Sequence, residues 1–429
     1  MTSLSRRRFA RLVALSGSTL FLPQRAEALT ELDIRNGPLP STPREPDEKF
    51  WREVRSRFIL PRDLGFFNAA NLCPTPLPVL EALERNTRAL DADPSAATRT
   101  RLGQGREATR RLLAGFLAVT PDEIVITRNT SEANNLVSSG IALGPNDEVV
   151  VFSDNHPSNL AAWREKARRF GFTVTVVPQV NPHPGGEFYL DTFTRALTSR
   201  TRLLAMTHVT NSVGDALPVG ELCRLARERG ILSLVDGAQS FGVLEVKLDQ
   251  LGADFYTGSA HKWLCGPKET GLLYVNRAVH DRIWPSLVSL YPGAVGISQK
   301  LEGLGQRDEA ALAALGEAVT FQTRIGRTTI EQRSRELIRA LVEGLRRLDG
   351  VTVWTHPDAN RSAGIVAFQP GSLDPRRLST ALYEKHRLAV AARAGTDRPG
   401  IRLSPHLYNM LDDVERVLHA IRGYLKTGL

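Results

Sequence analysis

The sequence lacks most of the features that assign a protein at sight. Its 429 residues hold only three cysteines, Cys73, Cys223 and Cys265. They are too few for a disulfide framework, and their spacing matches no zinc motif, so no metal site is expected. Neither G-x-G-x-x-G nor a Walker A sequence occurs, and there is no internal repeat or low-complexity tract. The apolar run from Leu12 to Leu22 falls short of the ~20 residues that a membrane span needs. Charge is also in modest supply: of the formal +9, residues 1–28 carry five arginines and one glutamate, or +4, which leaves a dispersed +5. That balance argues against a nucleic-acid partner.

What is present begins at the N-terminus. Ser5-Arg6-Arg7-Arg8-Phe9-Ala10-Arg11, the short apolar run and Ala26-Glu27-Ala28 resemble a twin-arginine export signal with a cleavage site, over residues 1–28. A basic tail is the plainer alternative. The export reading implies a folded protein handed to the twin-arginine machinery and released in the periplasm, with no membrane span. Residues 29–60 follow as a proline-rich arm with a helix near Asp47 to Phe58.

From there strand and helix signals alternate. Ile124–Thr127, Glu148–Phe152, Thr173–Val177, Leu203–Thr207, Ile231–Val235, Asp254–Tyr256 and Leu272–Val275 read as strands, with helices over Glu132–Ile141 and Asn159–Phe170. This pattern predicts an α/β fold with a mainly parallel sheet covered by helices, whose ligand sites gather at the strand carboxyl ends. The reading places a large domain over 61–290, and linking helices with a small C-terminal α/β domain over 291–429.

The strand ends carry the chemistry. Phe255-Tyr256-Thr257 leads into Gly258-Ser259-Ala260-His261-Lys262, and Ile231 to Val235 leads into Asp236-Gly237-Ala238-Gln239-Ser240. A lysine at a strand end is commonly a solvated charge; buried, it is an amine able to form a Schiff base with a carbonyl or with pyridoxal phosphate. That cofactor requires a carboxylate at its pyridine nitrogen and a lysine at its aldehyde. Asp236 and Lys262 would supply both from adjacent strands.

Taken together, DGAQS and SAHK resemble the cofactor site of the class V aminotransferase family, fold type I enzymes that include cysteine desulfurases and isopenicillin N epimerase. The resemblance implies that Lys262 carries pyridoxal 5'-phosphate, Asp236 partners its ring nitrogen and Gln239 its phenolate oxygen, while Ser259 and His261 lie at the phosphate and pocket. Thr130 and Ser131, at a strand-to-helix junction, resemble the phosphate cup, although Asn129 stands where a glycine is common; Thr130 would also serve as a plain helix cap. His156, after the next strand, resembles the ring-stacking histidine, with a further part in proton transfer. Asn211 resembles the residue that meets the phenolate or the substrate carboxylate. Asn68 to Asn71 would line the substrate mouth, with Asn71 as a substrate contact. Arg402, in Gly400-Ile401-Arg402-Leu403-Ser404-Pro405, resembles the substrate-carboxylate arginine, whose planar fork suits two parallel hydrogen bonds.

Two departures matter. Gln306 stands where relatives carry a threonine that reaches the partner subunit's phosphate, so the homodimer is implied by the family alone. The loop Arg393–Pro399 carries no cysteine, which removes the persulfide chemistry of a desulfurase. The expected activity is therefore amino-group chemistry on an amino acid or peptide-borne residue, such as tailoring of a secreted, siderophore-like metabolite; epimerisation and C–S cleavage are the alternatives, and a non-catalytic cofactor-binding protein is the remote one.

Overall fold

The computed structural model describes residues 39–393 and 397–429. The export signal read over 1–28, and the first part of the arm, lie outside them.

In chain order, helix α1 (Glu48–Arg55) precedes strand β1 (Gly65–Phe66), and helices α2 (Leu77–Ala92) and α3 (Ala96–Leu117) follow. Strand β2 (Ile124–Thr127), helix α4 (Thr130–Gly140), β3 (Glu148–Phe152), α5 (Pro157–Phe170), β4 (Thr173–Val177), α6 (Gly186–Ala196), β5 (Thr201–Thr207), α7 (Val219–Glu228), β6 (Leu232–Asp236), β7 (Phe255–Ser259) and β8 (Gly271–Val275) form the large unit. Its sheet has seven strands in the order β2-β8-β7-β6-β5-β3-β4. All run in one direction except β8, which is antiparallel to both β2 and β7.

A sheet covered on both faces must bury successive residues on opposite sides. Glu148-Val-Val-Val-Phe152 shows this: Val149 and Val151 enter one core with Leu203, Ala205 and Leu234, whereas Val150 and Phe152 enter the other with Leu204, Met206 and Val235. Continuous apolar runs are the result. Edge strand β4 is half exposed, with Thr173 and Val176 open to solvent and Val177 buried.

Helices α8 (Glu309–Ile325) and α9 (Arg327–Arg346), strands β9 (Val351–Val353) and β10 (Val366–Pro370), helix α10 (Pro375–His386), strands β11 (Leu388–Ala389), β12 (Ala391–Arg393) and β13 (Gly400–Leu403), and helix α11 (Leu411–Thr427) complete the chain. Strands β12-β13-β10-β9 form an antiparallel sheet. Its core, including Leu341, Phe368, Leu403 and Val417, is separate from those of the large sheet.

Within residues 291–429, read from the sequence as linking helices and a small domain, α8 packs on α2 and α3 and adds Leu312, Leu315, Ala318 and Val319 to the core under the large sheet. The chain leaves the large unit only near Gly326. The arm likewise does not stand apart: Asp47 caps α1 by accepting from the Phe50 N–H at 2.9 Å, and Phe50, Trp51 and Val54 pack into a core that also holds Trp263 and Tyr408.

Candidate active site

Strand β7 ends at Ser259, and the next residues turn sharply, with the Gly266 N–H donating to the Ala260 carbonyl at 2.7 Å. Lys262 stands at the crest of this turn. Cys265 closes it with φ 58°, a left-handed conformation that is uncommon outside glycine. The turn is held from three directions by its tryptophan. The Trp263 indole donates to Gln239 at 2.8 Å, and the Trp263 carbonyl accepts from His406 at 2.6 Å and Gln322 at 2.5 Å. Gly242 (φ 95°) lets the loop after Asp236 touch this turn, since a Cβ there would lie 2.5 Å from the Leu264 nitrogen. The two motifs are thus one piece of structure.

The Lys262 amine makes a poor ammonium. Burial pulls its pKa down from 10.5 to about 8; the Arg402 charge pushes the same way and Asp236 opposes both. A lysine poised between its two forms near neutral pH can act as nucleophile and as proton carrier.

Asp236, buried at the end of β6, accepts from Asn134 Nδ2 at 2.9 Å, Asn159 Nδ2 at 3.2 Å and the Ala238 N–H at 3.0 Å. A carboxylate has about four acceptor positions, so one remains for a cationic ring nitrogen. The two asparagines stand near the N-terminal ends of α4 and α5. Sequence reasoning did not single them out; their signal is the recurrence of asparagine just after each strand-to-helix junction. Gln239 is also fixed: its Oε1 takes the indole N–H while Nε2 donates to the Ala70 carbonyl at 3.0 Å, leaving one amide hydrogen unspent.

The candidate anion cup lies at the start of α4. Asn129, with φ −173°, is ordinary extended backbone and caps the helix by accepting from the Glu132 N–H at 3.0 Å. It therefore needs no glycine-like angles, and the capping role considered for Thr130 falls to Asn129. Thr130 is free to face Ser259: its N–H donates to Ser259 Oγ at 2.9 Å, and the two hydroxyls are 2.8 Å apart. Gly271 makes room for this loop, since a Cβ there would lie 2.9 Å from the Asn129 Cα. Ser131 is exposed and does not join the pair. His261 is half-buried; burial, with Lys262 and Lys268 adding, lowers its pKa to about 4 and keeps the ring neutral.

His156 follows β3, on a loop organised by Asn155 Oδ1, which accepts from the His156 N–H, Asn159 and Thr207. Its ring, half-buried, has its pKa lowered by burial and by Lys262, with Asp236 opposing.

Arg402 stands on β13, beside the segment from Asn68 to Asn71. Its Nη1 donates to the Asn211 carbonyl at 2.9 Å and its Nη2 to Asn68 Oδ1 at 3.1 Å, while its buried Nε has no partner. Asn211 acts here through its backbone rather than its amide. Of the two asparagines in the mouth segment, Asn68 reaches Arg402; Asn71 is exposed. The difference arises because Asn68 bridges Ser404 beside β13, which fixes the segment's register.

Behind the lysine turn, Cys73, Cys265 and a ring nitrogen of His406 come within 4.8 Å of one another, all buried. Positions so distant in the chain give no motif to read.

The sequence profile described as aminotransferase class-V matches residues 66–417. Isopenicillin N epimerase of Amycolatopsis lactamdurans is 30% identical over 396 residues, covering 88% of this chain and 99% of the relative. A probable cysteine desulfurase of Methanothermobacter thermautotrophicus is 30% identical over 394 residues, covering 85% and 95%. Among solved structures, the apo form of a cysteine desulfurase from Thermococcus onnurineus NA1 superposes with a TM-score of 0.81 at 26% identity, over 90% of this chain and 100% of that one.

Proposed function

The chain belongs to the aminotransferase class-V family, and from that premise we propose that it acts on the amino group of an α-amino carboxylate, free or peptide-borne, with amino transfer as its reaction. Its cofactor is pyridoxal phosphate, and the residues fit that group. The open acceptor position on Asp236 suits the ring nitrogen, the unspent Gln239 hydrogen the phenolate oxygen, and Thr130, Ser259 and His261 the phosphate. When bound, the cofactor supplies an electron sink that side chains alone lack.

The observation that carries the proposal is Lys262, presented at the turn after β7, with its pKa lowered to about 8 by burial and by Arg402 against the pull of Asp236. Arg402 orients the substrate through its carboxylate. Lys262 Nζ takes the Cα proton as a base matched to working pH. Whether that proton returns to Cα or elsewhere would separate epimerisation from amino transfer, and amino transfer would also need water to cleave the substrate C–N bond and release the oxo acid. Desulfuration is disfavoured, because Cys73, Cys223 and Cys265 are all buried and none lies on the loop before Arg402.

Epimerisation is the second reading. It requires a second proton carrier, and His156 stands within electrostatic reach of Lys262. Absorption spectra separate the readings. Wild-type protein is expected to show a band near ~420 nm that Lys262→Ala lacks, and an amino donor should convert it to a stable ~330 nm form. A band that stays while solvent hydrogen enters Cα would select epimerisation instead. No band after cofactor addition would overturn both.

Two further parts of this reading concern place and assembly. Export is supported by the Ser5–Arg11 motif, and no described helix is long and apolar enough to cross a membrane. Full-length protein that remained uncut in a bacterial cytoplasm would refute it. Dimerisation is supported by an exposed apolar stretch, with Val288 at 87% and Leu290 at 95% accessibility, as large surface patches of this kind mark interfaces. A second copy of this chain is its proposed occupant. A monomeric mass in solution would contradict that.

A further inference from the structure

Beside Arg402 stands a second guanidinium that the reading above leaves without a task. Strand β12 pairs with β13 so that Ala391 faces Arg402 and Arg393 faces Gly400. Side chains two apart on a strand share a face, so Arg393 and Arg402 are diagonal neighbours on one side of the pair. Both turn to the same acceptor: Arg402 Nη1 lies 2.9 Å and Arg393 Nη1 3.4 Å from the Asn211 carbonyl.

Like charges so placed repel. The usual relief is a carboxylate, and among the described residues none lies within ion-pair distance of either. Arg398 shows the contrast, with Asp154 at 3.3 Å and Asp397 at 3.5 Å. Asp154 and Asp397 act on Arg393 only from longer range, against Arg398. Residues 394–396, Ala-Gly-Thr, bring no acid. The Nε atoms of Arg393 and Arg402 are both buried and both lack a partner. One substrate carboxylate offers about four acceptor positions, fewer than the N–H groups that the two guanidiniums leave unspent.

We propose that Arg393 binds a second carboxylate of the substrate, so that the enzyme's substrate class is an acidic, dicarboxylic amino acid, either free or carried on a peptide. The proposal rests on Arg402 as the partner of the first carboxylate. Its chemistry favours a planar anion on each fork. Arg393 then selects among amino acids, whereas Arg402 is needed for all of them.

The test uses cofactor-loaded protein and two acids without an amino group, glutarate and valerate, which match in length and differ in carboxylate number. Binding is read by calorimetry for wild type, Arg393→Gln and Arg402→Gln, with cofactor absorbance as the check on folding. Wild type is expected to prefer glutarate by about tenfold or more, the worth of a charge-assisted hydrogen-bond pair. Arg393→Gln should collapse that ratio toward one, and Arg402→Gln should weaken both acids. Equal affinity of wild type for the two acids, with both still dependent on Arg402, would overturn the role of Arg393 alone. A ratio that survived in Arg393→Gln would do the same. If neither acid bound the loaded wild type, the carboxylate role of Arg402 would fall as well. The wild-type ratio decides even if a variant does not fold.

Discussion

The Nδ1 atom of His156 accepts a hydrogen bond from the backbone N–H of Ser158 at 3.2 Å, so the ring caps α5 while lying within the electrostatic reach of Lys262. An accepting Nδ1 carries no proton, which fixes the neutral ring as its Nε2–H tautomer. The lowered pKa agrees with this. His156 therefore joins a structural part to the chemical part proposed for it, and ordinary truncation would confuse the two.

Asparagine retains a capping oxygen and loses the ring. His156→Asn is expected to keep thermal stability close to wild type while cutting turnover by about two orders of magnitude, whereas His156→Ala should also lose about 1 kcal/mol of stability. Equal turnover in His156→Asn and wild type would reduce the ring to its cap.

For Lys262 the neutral amine is the reactive form, and its pKa is lowered from 10.5 to about 8. Cofactor uptake by apoprotein should accelerate roughly tenfold per pH unit and level off near pH 8. Arg402→Gln removes a cation that disfavours the ammonium form, so its plateau should begin at higher pH; Asp236→Asn removes an attraction, so its plateau should begin lower. A wild-type rate still climbing toward 10.5 would show that burial does not tune this amine.

Asn134→Leu or Asn159→Leu strips one donor from a buried carboxylate. Each is expected to cost about 1–3 kcal/mol of stability and to weaken cofactor binding, since Asp236 then turns toward fewer partners. Urea unfolding of apoprotein and cofactor titration would measure the two effects separately. An unchanged unfolding midpoint would mean that water replaces the amide.

Asp215 gives a pH signature to stability. Burial raises its pKa from 3.8 to about 7, Asp154 adds to the rise, and the bond from Gln179 and the charge of Arg398 oppose it. The folded chain thus holds a proton that the unfolded chain releases above 3.8. This contribution is complete below that value and lost as pH rises toward 7. Asp215→Asn should therefore be more stable than wild type at pH 8, by on the order of 2 kcal/mol, with the difference vanishing near pH 4. His208 and His406, kept neutral with values of about 4, lose their contribution as pH falls below 6.5, in wild type and variant alike. Parallel melting curves at all pH values would contradict the assignment.

Much of the site is legible in the sequence because its chemistry is local. A strand end presents Asp236, Gln239 lies three residues on, and the neighbouring strand end presents Lys262; each needs only a strand and the turn after it. What the sequence hides depends on register and distance. Asn68 rather than Asn71 meets Arg402 because a bridge to Ser404 fixes the segment, and Arg393 joins Arg402 only through the pairing of β12 with β13. The placement of α8 was hidden for a different reason. A helix buried almost all round carries no stripe to show which unit it serves, and α8 buries Ala310, Leu312, Leu315, Val319, Phe321 and Ile325 alike.

Strand β1 lies parallel to β11, and the Phe67 carbonyl accepts from the Ser404 N–H at 2.8 Å, while the Cys73 N–H donates to the His261 carbonyl at 2.8 Å. This segment is therefore anchored at its end to His261, and at its start to residues made more than three hundred positions later. A ribosome must finish nearly the whole chain before the start of that segment, Gly65 to Ala69, has its strand partners. Catalytic competence thus arrives at the end of synthesis, and a nascent or truncated chain that already holds Asp236 and Lys262 still lacks the wall against which a substrate would be placed.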